Sequence, residues 1–154
     1  MEKIGVMFVC LGNICRSPMA EAIFRDLVQK RGLGNRFEIA SAGTDNWHVG
    51  EPPHRGTQQI LARHKIEMGK KRAQQLTARD LDFYDYVVVM DASNAAEVEA
   101  VFGKKLKRLL EFAPEGSPLD VPDPYYENNF NEVYQLVLDG CEGLLQHIRE
   151  QEGL

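Results

Sequence analysis

Cys10-Leu11-Gly12-Asn13-Ile14-Cys15-Arg16-Ser17-Pro18 is the stretch from which the fold can be read. It follows an apolar run over residues 4–9 that lacks strict alternation, as in a strand buried on both faces of a parallel sheet. It precedes a segment in which Met19, Ile23 and Leu27, with Phe24 and Val28, recur at helical spacing. Ser17 is placed to cap that helix, Pro18 suits its first turn, and Gly32 can end it. The stretch is therefore a strand-to-helix turn. In parallel α/β sheets such turns lie at the carboxyl ends of the strands, where ligands bind.

The residues inside the turn suggest which ligand. Gly12 and Asn13 tolerate a tight backbone curl. A curl of this kind turns successive N–H groups inward and makes an anion-binding nest at a helix N-terminus. The same field stabilises a sulfur anion, so Cys10 reads as a nucleophile inside a phosphate cradle. Arg16, with five residues between it and Cys10, can bind two phosphate oxygens at once, which Lys cannot match. Ser17 can donate a hydrogen bond to the thiolate. A bare Cys-x5-Arg spacing recurs by chance in many proteins; the buried strand before it and the Pro-started helix after it make it specific.

The rest of the chain alternates in the same way. Residues 37–42 read as a strand, residues 44–53 as a loop and residues 56–64 as a helix. Thr77-x-x-Asp80 resembles a capping box for a short helix. Residues 86–90, with three consecutive valines, form the clearest strand; a helix over residues 93–102 and a strand over residues 107–112 follow. Residues 113–128 carry four prolines and read as a long loop. From Phe130 to Ile148 apolar side chains recur at helical spacing, defining a long amphipathic helix that includes Cys141. The order β-α-β-α-(α)-β-α-β-α predicts a three-layer α/β fold, a twisted parallel sheet with helices on both faces.

At 154 residues the chain suits a single domain over residues 1–154 with a real hydrophobic core. No apolar run approaches a transmembrane length, and three cysteines argue against a disulfide framework; a cytoplasmic location without membrane insertion is expected. No Cys/His spacing resembles a metal site. The net charge of −5 is uneven: residues 111–154 hold ten acidic residues and one basic residue, which would repel nucleic acid. Lys70-Lys71-Arg72 and Lys104-Lys105 could meet acidic partners, but such clusters are more often simply solvated surface.

Taken together, the stretch from Val9 to Glu21, Ser41-Ala42-Gly43-Thr44, Trp47, Met90-Asp91-x-x-Asn94 and Asp123-Pro124-Tyr125-Tyr126 resemble the low-molecular-weight protein tyrosine phosphatases over nearly the whole chain. The resemblance implies a four-stranded parallel sheet, no cofactor or metal, and hydrolysis of phosphotyrosine through a cysteinyl-phosphate. It implies that Cys10, Arg16 and Asp123 are catalytic. Asp123 would protonate the leaving phenolate and then serve as base for the hydrolytic water. An Asp-Pro pair by itself is usually only a turn initiator.

The loop Leu11, Gly12, Asn13, Ile14, Cys15 and Ser17 would bind phosphate or another oxyanion. Asn13 would hold a left-handed conformation supported by Ser41, although Ser41-Ala42-Gly43 also reads simply as a strand end of small residues. Trp47, Tyr125 and Tyr126, with Leu11 and Ile14, would wall a cleft for an aromatic ring. His48 and His54 receive no role. In the family a cysteine beside the nucleophile can form a protective disulfide with it; for Cys15 this and simple packing beneath the loop both stand. Many members carry His-x-Ala-Arg where this chain has Lys71-Arg72-Ala73-Gln74, so a histidine that holds the loop in some relatives has no equivalent.

Two rivals share the scaffold. A thiol-coupled arsenate reductase needs a pair of downstream cysteines, and residues 70–100 contain none. Protein-arginine phosphatases resemble one another in carrying Thr at the position of Ile14 and in lacking the paired tyrosines. A silent phosphate-binding module would be expected to lose Cys10, Arg16 or Asp123, and all three are present. Phosphotyrosine-containing proteins are therefore the expected partners, and a monomer is the expected state.

Overall fold

A computed structural model describes residues 2–154. Its centre is β1 (Ile4–Cys10), all seven residues of which are buried. Four parallel strands are ordered β2 (Phe37–Gly43), β1, β3 (Tyr86–Val89) and β4 (Lys107–Arg108). Burial of β1 on both sides explains its unbroken apolar run. Ile4, Val6, Phe8 and Cys10 face one core, while Met7 and Val9 face a second.

The larger core is closed by α1 (Arg16–Lys30), α2 (Arg55–Arg63) and α6 (Phe130–Glu152). The smaller one lies under α3 (Ala78–Phe83) and α4 (Ala92–Phe102). This is the three-layer α/β sandwich expected from the element order. Phe8, Phe24 and Phe37 tie β1, α1 and β2 together, with ring centroids 5.6 Å apart in both pairs. Each such pair adds about 1 kcal/mol beyond its buried area. The Thr77 and Asp80 capping box at the start of α3 forms as its sequence pattern suggests. Among the described residues no helix is long and apolar enough to cross a membrane.

Three local expectations are corrected. The predicted strand over residues 107–112 is only two residues long and passes into a 3-10 turn, Leu109–Phe112. A strand would send alternate side chains outward, whereas the turn buries Leu109 and Leu110 together beneath α6. The Arg108 N–H donates to the Glu111 carboxylate at 2.6 Å and starts that turn. The long loop over residues 113–128 contains a short helix, α5 (Pro124–Glu127), with Asp123 as its N-cap. Finally, Ser17 does not cap α1. Cys15 occupies that position and no side chain caps the helix.

Candidate active site

The sheet register sets the site. Cys10 ends β1 opposite Gly43 of β2, and Val9 stands opposite Val89 of β3. The chain therefore leaves β1 between the ends of its two neighbours and curls over β2. Gly43 lies directly beneath the curl: a Cβ there would stand 2.8 Å from the Leu11 carbonyl oxygen and 3.1 Å from the Asn13 nitrogen. The small residue at the strand end is thus required by the loop above it. Asn13 adopts the left-handed conformation, φ 57°. Among the described residues, no backbone N–H from positions 11–17 donates to a protein acceptor. A row of free donors at the uncapped N-terminus of a fifteen-residue helix is an anion site.

Buried side chains brace the curl from below. The Asn13 amide nitrogen donates to Ser17 Oγ at 2.8 Å and to Ser41 Oγ at 2.9 Å. Ser17 Oγ lies 3.0 Å from Cys10 Sγ, which explains why it is not free to cap the helix. Ser41 donates to Glu21 Oε1 at 2.6 Å. The Gln74 backbone N–H donates to Asn13 Oδ1 at 3.0 Å, and Lys71 Nζ and Gln74 Nε2 both donate to the Ser41 carbonyl. Lys71, expected as solvated surface, is a half-buried member of this cluster. Lys71 and Gln74 thus hold the loop on the side where some relatives use a histidine.

Arg16 is anchored from the opposite side. Its Nη1 donates to Asp91 at 2.6 Å and to the Val121 carbonyl at 2.8 Å, and its Nη2 lies 3.7 Å from Asp123 Oδ2. Burial works against the guanidinium charge, but the Cys10 sulfur and the Asp91 and Asp123 carboxylates outweigh it and raise the Arg16 pKa. Asp91 lies two residues beyond the end of β3 and caps α4 through the Asn94 N–H. Asp123 Oδ1 accepts from the Tyr125 N–H at 3.0 Å, so the turn begun by Pro124 aims the other oxygen towards Arg16.

Cys10, Arg16 and Asp123 line one cavity of about 320 Å³ with Leu11, Gly12, Ile14, Cys15, Trp47, His48, Tyr125 and Tyr126. Every expected wall residue is present, at different depths. Ile14 is buried near the floor, whereas Trp47 and Tyr126 form the outer rim at 72% and 76% exposure. All three thiols are free. Cys15 is packed into the core and pushed up to about 12, chiefly by burial, then by Cys10 and Asp123. Among the described residues no cluster of His, Cys, Asp or Glu is arranged to hold a metal ion.

Both histidines left without a role lie beside the cleft. His54 accepts from the Gly56 N–H to cap α2, packs edge-on against Tyr125 and stacks on Phe130. His48 pairs with Glu51 through Nδ1 and faces Tyr125 at 6.2 Å. The contributions of Asp91, Glu21 and Gln74 were also missed. Only Asp91 carried a local signal, the cap pattern Asp91-x-x-Asn94 after an apolar strand.

A Cys-x5-Arg anion cradle at the carboxyl edge of a parallel α/β sheet, with an acidic loop over its mouth, defines a class of phosphatase. Within that class, the profile of the low molecular weight phosphotyrosine protein phosphatases matches residues 5–153. The chain belongs to this family, whose fold and hydrolase class are those expected from the sequence.

It is 50% identical over 155 residues to the low molecular weight protein-tyrosine-phosphatase YfkJ of Bacillus subtilis, covering 98% of this chain and 99% of that one. The crystal structure of YfkJ superimposes with a TM-score of 0.95 at 49% identity, covering 98% of each chain. The protein-tyrosine-phosphatase PtpA of Staphylococcus aureus is 45% identical over 154 residues, with 98% and 97% coverage. The Drosophila arginine phosphatase DARP is also similar, with a TM-score of 0.87 and 35% identity over 94% of this chain and 97% of that one. The shared fold therefore does not by itself separate the two substrate classes.

Proposed function

We propose that the chain, as one catalytic domain over residues 1–154, is a protein-tyrosine phosphatase that works through a cysteinyl-phosphate on Cys10. The observation that carries this reading is the single cavity in which Cys10, Arg16 and Asp123 meet beneath aromatic walls. A phosphate monoester dianion enters the loop, takes the free N–H donors, and replaces Asp123 as a partner of Arg16. The Cys10 thiolate attacks phosphorus in line as the P–O bond to the phenol breaks. Asp123, as the carboxylic acid, gives its proton to the leaving phenolate. Water then attacks the phosphocysteine, the Asp123 carboxylate takes its proton, and inorganic phosphate and the thiolate are released.

Phosphotyrosine is favoured over phosphoarginine by the aromatic side chains of Trp47, Tyr125 and Tyr126 and the apolar, buried Ile14 in the lining of the cavity. Phosphotyrosine-containing proteins are the substrates in this reading, small aryl phosphates are accepted, and the enzyme acts as a cytoplasmic monomer. Turnover of an aryl phosphate without added metal tests the scheme. Cys10→Ser abolishes it. Asp123→Ala lowers phosphotyrosine turnover by about 10²–10⁴-fold but affects much less an aryl phosphate whose leaving group needs no proton. Equal losses on both substrates would remove Asp123 from the acid role, and faster turnover of phosphoarginine would overturn the substrate class.

A further inference from the structure

The segment that carries Asp123 reaches the site from a largely exposed stretch. Over residues 114–119, among the described residues, only the Ser117 N–H donates, to the Pro114 carbonyl at 3.1 Å within the same stretch. Asp120 is the first residue after it to be held by the rest of the fold. Its Oδ1 accepts from the Ala92 N–H at 3.0 Å and from Arg108 Nη1 at 3.0 Å. Ala92 opens α4, so the carboxylate also meets the positive end of that helix.

Val121, the next residue, is fastened twice. Its N–H donates to the Met90 carbonyl at 2.9 Å, and its carbonyl accepts from Arg16 Nη1 at 2.8 Å. Pro122 and Pro124 then fix φ on either side of Asp123. Few free torsions therefore separate Asp120 from the Asp123 carboxyl. Val121 alone would be a pivot about which the segment could tilt. Asp120 supplies a second fixed point, from outside the cavity, which it does not line.

We propose that Asp120 is a positioning residue for the general acid. Its bonds to Ala92 and Arg108 set the angle at which Pro122-Asp123-Pro124 crosses the mouth of the cavity, and so the reach of Asp123 to the leaving oxygen. The proposal rests on Asp123 being the acid. The Asp120 side chain is 53% exposed and that of Arg108 25%, so solvent weakens the pair and the effect on rate is moderate.

The test compares kcat/KM on two substrates. One is phosphotyrosine, whose phenolate takes a proton as it leaves; the other is an aryl phosphate with a strongly acidic phenol, which leaves unaided. Asp120→Ala is expected to lower kcat/KM for phosphotyrosine about threefold to tenfold, and for the activated ester by less than about twofold. Asp120→Asn keeps an oxygen for both donors and retains at least about half of the parental value on phosphotyrosine. In an Asp123→Ala background, Asp120→Ala has no further effect on phosphotyrosine, because no acid is left to position.

Equal losses on the two substrates, which a general loosening of the fold would give, overturn the proposal. So do an unchanged phosphotyrosine value in Asp120→Ala, an equally large loss in Asp120→Asn, or a further loss on top of Asp123→Ala. If Asp120→Ala does not fold, Arg108→Met decides by the same comparison: a loss confined to phosphotyrosine supports the proposal, and an equal loss or none overturns it. Asp123→Ala measured alone separates the two levels. Equal losses there defeat the acid assignment itself, whereas a selective loss there with none in Asp120→Ala defeats only the role of Asp120.

Discussion

Arg16 Nη1 and Asp91 Oδ2 stand 2.6 Å apart, with the arginine side chain 3% exposed. The same carboxylate caps α4 through Asn94, so the guanidinium is fastened to the rigid junction of β3 and α4. A phosphate-binding group held in this way needs little reorganisation when its ligand arrives.

Asp91→Ala removes a helix cap and a charge-assisted hydrogen bond together. Stability is expected to fall by about 2–4 kcal/mol in urea unfolding, and substrate KM to rise as Arg16 loses its orientation. Asp91→Asn keeps an oxygen for the cap and is expected to lose less stability. Identical stability losses in the two variants would show that the cap contributes nothing.

Alkylation should distinguish neighbouring thiols. Cys15 is raised to about 12, first by burial and then by the Cys10 and Asp123 charges, so at pH 7.5 it stays almost wholly the thiol. Iodoacetamide is therefore expected to modify Cys10, which lines the cavity, well before Cys15, and inorganic phosphate to slow the reaction. Peptide mass mapping reads the order, and first labelling at Cys15 contradicts this account.

The alkaline limb of stability should depend on Tyr86. Its hydroxyl donates to Glu152 at 2.8 Å, fastening the last turn of α6 to β3, and burial followed by this bond pushes its pKa up to about 12. An unfolded tyrosine titrates near 10, at about the model-peptide value. The folded chain therefore keeps a proton that the unfolded chain loses. The stabilisation is fully present below pH 10 and disappears as pH rises towards 12. In Tyr86→Phe the corresponding part of the pH dependence should vanish. Urea midpoints between pH 9 and 12 for the two proteins provide the comparison.

Much of the site could be read in one dimension because one local segment builds the cradle. Cys10, Arg16 and the left-handed Asn13 lie within seven residues, and their mutual placement follows from a strand, a tight curl and a helix start. Ser17 shows the limit of such reading. A serine before a proline at a helix start reads both as a cap and as a partner of the thiolate; its hydroxyl lies against Cys10, as the second reading expects, and accepts from Asn13, so it does not cap. Leu109 and Leu110 show another: their apolarity marks them as buried, but packing beneath α6 decides that they form a turn.

The amino-acid sequence by itself determined the alternation of strands and helices apart from α5 and the Leu109–Phe112 turn, the anion cradle between β1 and α1, and the family to which the chain belongs. These depend on apolar periodicity and on residues close together in the chain. The tertiary structure alone decided what braces the cradle. Asp91 reaches Arg16 across 75 positions, Val121 across 105, and Lys71 reaches Ser41 across 30. None of these residues advertises its role locally: an aspartate after a strand reads as a cap, and a lysine in a basic run reads as solvated surface. Parallel strand pairing brings such distant segments to one edge of the sheet, and only there do their charges and hydrogen-bond donors acquire partners.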